Sequence, residues 1–154
     1  MKCESGRSMI EMLGVLAIMG IITVGAIGMI STAMRTQKRN TVNEEVLQIV
    51  TGVRQLLGEY DDFSHINNST IFGAIGMSSK NAYGGTYELA VNPANSQQFI
   101  VSITGLSDTD CEYFVTKAWT DSIGYMNSDG KQGGATGTCN LGNGKNIVKI
   151  IYGE

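Results

Sequence analysis

Glu11 is the residue from which any chemistry has to be argued. It is the single ionisable group after Arg7 in residues 6–34, GRSMIEMLGVLAIMGIITVGAIGMISTAM, a run made mostly of Ile, Leu, Val, Met, Ala and Gly. A charge near mid-membrane costs about 2.5–3.5 kcal/mol on insertion scales, less near the end of a span, and such a residue should have a partner. The structural alternative is an interfacial carboxylate that snorkels to the headgroups. Elsewhere little points to catalysis: one histidine, His65, reads as a solvated loop residue, and there is no convergent carboxylate pair and no nucleophile motif. Asp108 and Asp110 have a calcium-like spacing, but no EF-hand-like loop follows, and a place in the first turn of a helix opened by Ser107 accounts for them. GNGKN, residues 142–146, lacks the spacing and the following helix of a phosphate-binding loop. The expectation is therefore no enzyme, no cofactor and no metal site.

The element that must position Glu11 is a helix. About 20 apolar residues cross the hydrocarbon core of a bilayer, and residues 12–34 meet that requirement alone. A secretory signal places its small cleavage-site residue after the apolar core, whereas here Gly6 stands before it, behind only MKCES. Cutting after Gly6 removes a polar leader and keeps the whole apolar helix. Beyond Arg35, the residues Val42, Val46, Ile49, Val53, Leu56 and Tyr60 recur at steps of four and three, an apolar stripe down one helix face. The two halves together predict one helix of about 50 residues, ~75 Å long. Gly14, Gly20, Gly25 and Gly28 interrupt the spanning half at about 1 kcal/mol of helix propensity each, which close helix–helix approach would explain.

These residues resemble the prepilin signature of type IV pilins: a short leader ending in Gly6, then Arg7-Ser8-Met9-Ile10, then Glu11 as the fifth residue of an apolar helix. The resemblance implies cleavage after Gly6 by a prepilin peptidase, and pairing of Glu11 with the new amine of a neighbouring subunit. Arg7 departs from the apolar residue usual at that place, which bears on methylation of the amine more than on cleavage. Arg7 also lies four residues before Glu11 on the same helix face, so an intrachain pair competes with the intersubunit one. Family members often unwind part of this helix on assembly, which makes Gly20, Gly25 and Gly28 candidates for that role.

Past the helix, with Gly58 near its exit and the polar pair Asp61-Asp62 beyond, the chain reads as a small head. A short helix is predicted over residues 70–76 behind Ser69 as its cap. NAYGG, residues 81–85, leads into TYELAV as a strand, Asn92-Pro93 breaks it, and residues 98–103 form a second strand. Ser107 opens a helix with Cys111, Phe114, Val115 and Ala118 on its buried face, ending near Trp119. Residues 122–126 are strand-like, residues 128–130 a turn, and residues 133–144 a glycine-rich loop holding Cys139. NIVKIIY, residues 146–152, is a final strand. This order looks like the type IVb pilins of the thin conjugative and toxin-coregulated pilus kind, although the six-residue leader is short for that group. The resemblance implies a final strand entering the centre of the sheet, and a disulfide from the second helix to the region before that strand; Cys111 and Cys139 occupy those places. Three cysteines become two if Cys3 leaves with the leader, and the remaining pair would sit in a domain carried to where disulfides persist; two unrelated thiols are the alternative.

The expected fold class is α+β: a long N-terminal helix packed on a small antiparallel-sheet head with a second helix and one disulfide. The segments are a leader at 1–6, a spanning helix at 7–34, an amphipathic continuation at 35–60 and a head at 61–154. Net charge is −3, which argues against nucleic acid as the main partner. Arg35, Lys38 and Arg39 outnumber Lys2 and Arg7, so the positive-inside rule taken alone keeps the head in the cytoplasm; the prepilin-like leader, cut on the cytoplasmic side, argues for export. The expected function is a structural subunit, anchored in the bacterial inner membrane as a precursor and polymerised with copies of itself by an assembly machine into an extracellular pilus. A minor pilin or pseudopilin of a secretion system, and a membrane-tethered binding domain that never polymerises, are the alternatives.

Overall fold

The computed structural model describes residues 9–60, 62–127, 133–134, 137–140, 142 and 144–153. Gly6, Arg7, Cys3, Asp61 and the turn expected over 128–130 lie outside the described residues. The order is α1 (Met9–Leu57), α2 (Asn68–Ala74), β1 (Tyr87–Asn92), β2 (Asn95–Leu106), α3 (Asp108–Thr116), β3 (Ser122–Tyr125) and β4 (Asn146–Gly153). The fold is α+β, with a four-stranded antiparallel sheet in the order β1-β2-β4-β3. The last strand thus occupies the interior of the sheet, flanked by β2 and β3.

Two compact units divide the chain at Gln37 and Lys38. The first is the apolar half of α1, whose side chains are exposed throughout. Among the described residues it holds a stretch of mean hydropathy 2.4, unburied and long and apolar enough to cross a membrane. Thr23 and Thr32 turn their hydroxyls onto the carbonyls of Met19 (2.7 Å) and Gly28 (3.2 Å), so these polar groups are satisfied within the helix, as an apolar solvent demands.

The second unit contains residues 38–57 of α1 together with the sheet and the two short helices. Val42, Val46, Ile49 and Val53 are buried, as the stripe predicts. Its end is different: Leu56 and Tyr60 are 43% and 56% exposed, while Val50 and Leu57 are buried in their place. A step of four from Val53 brings Leu57 under the same face. The helix stops there, and Gly58 N–H donates to the Arg54 carbonyl at 2.8 Å. The facing surface comes from alternate strand residues, among them Phe99, Val101 and Ile103 of β2 and Val148, Ile150 and Tyr152 of β4. The opposite side of the sheet holds a small cluster of Ile100, Met126 and Ile151. Each fully buried aliphatic side chain stabilises the fold by roughly 1.5–3 kcal/mol.

Local chemistry shifts three expected boundaries. Helix α2 starts two residues early because Asn67, not Ser69, is its cap: Asn67 Oδ1 accepts from the N–H groups of Ser69 (3.1 Å) and Thr70 (3.3 Å). Helix α3 is capped by Ser107 as expected, but it ends at Thr116 and leaves Ala118 exposed. The carbonyl of Phe114, in its last turn, is taken by Trp119 Nε1–H at 3.1 Å and the Tyr125 hydroxyl at 2.7 Å, so side chains replace a further helical turn. Strand β2 extends to Leu106, and the NAYGG stretch is clamped onto it. Asn81 Oδ1 accepts from Tyr83 and Gly85 N–H, both at 3.0 Å, while Asn81 Nδ2 donates to the Thr104 carbonyl at 2.8 Å. A Cβ on Gly85 would lie 2.0 Å from that carbonyl oxygen, so only glycine fits.

Cys111 and Cys139 form a disulfide that ties the buried face of α3 to the loop ahead of β4 across 28 residues. Closing a loop of that length stabilises a fold by about 3–4 kcal/mol in the chain-entropy model. Reduction, or the double variant Cys111→Ser with Cys139→Ser, is expected to lower unfolding free energy by about that amount in urea titrations; an unchanged midpoint would contradict it.

Candidate functional site

Helical periodicity fixes what Glu11 shares its face with. Steps of three and four from Glu11 pass through Gly14, Ile18, Ile21, Gly25 and Gly28, residues that line one side of a helix; Gly20 falls off that side. Glu11 lies in the first described turn of α1 and is exposed. Among the described residues nothing pairs with it. Gly6 and Arg7, the sites of cleavage and of the competing cation, lie outside the described residues.

No described residue accounts for the glycines of this half. A Cβ built on Gly14, Gly20, Gly25 or Gly28 meets nothing within 4 Å. Gly52, in the head unit, shows the contrast: a Cβ there would lie 2.4 Å from Ile75 Cγ2, so its smallness lets α2 approach α1. Alanine at the four spanning positions would favour the helix by about 1 kcal/mol each. The α-helix nonetheless runs without interruption through Gly20, Gly25 and Gly28, and no unwinding is present in the single chain.

A second constellation lies at the start of the head unit, where sequence reasoning saw only a basic cluster. Arg39 forms an ion pair with Asp110, Nη2 to Oδ1 at 2.8 Å and Nε to Oδ1 at 2.9 Å. Its guanidinium lies over the Tyr113 ring, 4.2 Å from the centroid. Lys38 Nζ sits 5.8 Å from the centre of the Tyr83 ring, and Tyr87 donates its hydroxyl proton to Glu45 Oε2 at 2.6 Å. Burial pushes the Tyr83 hydroxyl up to about 12, with the nearby Asp110 adding to the shift. Burial also raises Tyr87, helped by its bond to Glu45. Arg39 therefore fastens α1 to α3 and is no longer a plain topology-setting cation. No spacing in the sequence pairs residues 71 positions apart; the available signal was an arginine continuing the face of Val42 and Val46.

Asp108 and Asp110 sit side by side on α3 with different roles. Asp110 Oδ2 accepts from the Ser107 hydroxyl at 2.7 Å, which completes the cap while Oδ1 holds Arg39. Asp108 accepts from Gly142 N–H at 2.9 Å and Asn146 Nδ2 at 2.7 Å, so it clamps the loop behind Cys139 to the start of β4. The Gly142 bond, then the Asn146 bond, hold its carboxyl below the usual value of 3.8. Both acids are thus engaged internally, and among the described residues no group of three or more His, Cys, Asp or Glu could hold a metal ion. His65 is exposed and packs on Tyr60.

The chain matches no protein-family model. No curated protein matches it either.

Two outcomes follow from this geometry. Asp110→Ala leaves a largely buried guanidinium without its carboxylate, with Arg39 and Asp110 side chains 21% and 8% exposed, and is expected to cost about 3 kcal/mol; replacing Arg39 by Met in the same chain should recover part of it in a double-mutant cycle. Asp108 has a depressed pKa, so its contribution is present above 3.8 and disappears as pH falls through the lower folded value. Melting temperatures should fall on acidification below that point, and Asp108→Asn should flatten that part of the profile.

Proposed function

We propose that this chain is the structural subunit of a type IV pilus: held in the inner membrane by the apolar half of α1, cut after Gly6, and stacked with copies of itself into an extracellular filament. The observation that carries the reading is the exposed face of α1 bearing Glu11, Gly14, Gly25 and Gly28, where a Cβ built on each glycine meets no described atom within 4 Å. Glycine there is a cost to the isolated helix, and its use is close approach by another helix. Lipid is already as apolar as these side chains, so packing and polar pairing must supply the specificity. In the proposed polymer that pairing is Glu11 with the amine freed at Arg7 of a neighbouring subunit, which removes the cost of an unpaired carboxylate in an apolar setting.

The reading gives the prepilin peptidase and the assembly machinery as partners, and it gives the chain no catalysis. Gly20, Gly25 and Gly28 are proposed as the place where α1 loosens when subunits are packed. The disulfide and the clamps of Asp108 and Arg39 support the same reading, since a head outside the cell benefits from cross-linking of this kind.

The test is assembly itself. Glu11→Ala is expected to insert and to be processed, yet to yield no filaments in sheared cell-surface material seen by electron microscopy. Mass analysis of the wild-type filament should find Arg7 as the first residue. Filaments carrying Met1, or normal filaments from Glu11→Ala, would overturn the proposal.

A further inference from the structure

The end of α1 opens onto a cleft that neither the core nor the assembly face uses. Its volume is about 520 Å3, and among the described residues Arg54, Tyr60, Asp62, Phe63, Gln97 and Gly153 border it. That volume falls within the roughly 300–1,000 Å3 of ordinary small-ligand sites. Phe63 is anchored in the core, 4.8 Å from Phe99 between ring centroids, so Tyr60 supplies the exposed ring. The Tyr60 ring is braced by His65 at 5.0 Å, tilted by 45°.

The polar groups around this ring are planar and of both hydrogen-bonding senses. Arg54 gives one N–H to Asp121 at 3.1 Å and keeps other guanidinium donors. Asp62 Oδ1 accepts from Ser64 N–H at 3.0 Å, and a carboxylate has acceptor capacity beyond one bond. The Gln97 side chain is exposed and bonds to no described residue. Among the described residues Arg54 stands here with two carboxylates, Asp62 and Asp121, which disfavours an anionic ligand. An aliphatic ligand would leave the same groups without partners, at the cost of their desolvation. What suits a ring flanked by an amide, a carboxylate and a guanidinium is an uncharged ring compound with adjacent hydroxyls, each able to donate and accept.

We propose that this cleft binds one uncharged pyranose unit of a glycan, with its C–H face on the Tyr60 ring and its hydroxyls on Gln97, Asp62 and Arg54. The site does not depend on polymerisation. One consequence does rest on the filament reading: a subunit repeated along a polymer presents the cleft many times, and linked weak sites gain avidity with no new contact.

The experiment uses the full chain in a detergent without a sugar headgroup. Saturation-transfer NMR is recorded with the methyl glycosides of glucose, galactose, mannose and N-acetylglucosamine at about 10 mM, suited to a weak single site. At least one is expected to receive saturation, most strongly at its ring C–H protons. Tyr60→Ala and Gln97→Ala should each weaken it about tenfold or more, while Tyr60→Phe, which keeps the ring, should retain it. Lys149→Ala, away from the cleft, should change nothing, and methyl glucuronide should bind at least about tenfold more weakly. Silence from all four glycosides, unchanged transfer in Tyr60→Ala with native circular dichroism, loss in Lys149→Ala, or equal binding of the glucuronide would each overturn the proposal. None of these results bears on whether filaments form, so the two readings fail separately.

Discussion

The structure depends on one apolar stripe, Val42, Val46, Ile49 and Val53, buried against the inner face of the sheet. The same helix carries, in residues 9–37, side chains that are exposed among the described residues. One continuous hydrogen-bonded backbone thus serves two environments. In the head unit the buried helix face is aliphatic and the exposed side mixes Glu44, Gln48 and Arg54 with Leu47 and Leu56; residues 12–34 of the apolar unit carry no charge. Backbone satisfaction is the common feature, since a helix meets it internally in water and lipid alike.

Around that stripe the head is closed by a few long-range polar links. Arg39 joins α1 to α3 through Asp110, Asp108 joins α3 to the loop before β4, and the disulfide joins the same two regions covalently. Three links therefore converge on a helix of nine residues, which on its own is too short to be stable in water. Each edge strand also has one backbone group bonded from outside the sheet. Asn68 Oδ1 accepts the N–H of Leu89 on β1 at 2.7 Å, and Gly133 N–H reaches the Tyr125 carbonyl beside β3 at 2.6 Å.

The elements themselves were legible because their signals are local. The apolar run, the stripe at steps of four and three, the Asn92-Pro93 break and the β-prone closing run each depend on neighbours within a few residues, and each corresponds to an element. The misplacements arose where a side chain chose between nearby partners. Asn67 outcompeted Ser69 as a cap, Trp119 and Tyr125 took a carbonyl that another turn of α3 would have used, and Leu57 rather than Leu56 met the sheet. Asn67 and Ser69, and Leu57 and Leu56, differ by one or two residues, whereas Tyr125 reaches the Phe114 carbonyl from eleven residues on.

By itself, the sequence determined the presence of a spanning-length apolar helix with a lone carboxylate near its start, an amphipathic continuation and a small α+β head, because hydrophobicity and periodicity are properties of the chain's own order. Tertiary structure alone decided that Arg39 belongs to Asp110, that Asp108 holds the Cys139 loop, and that Arg54, Tyr60, Asp62 and Gln97 border one cleft. Those relations join residues tens of positions apart. They come from how the sheet sets α1 and α3 beside each other, and that arrangement is a property of packed volume rather than of spacing along the chain.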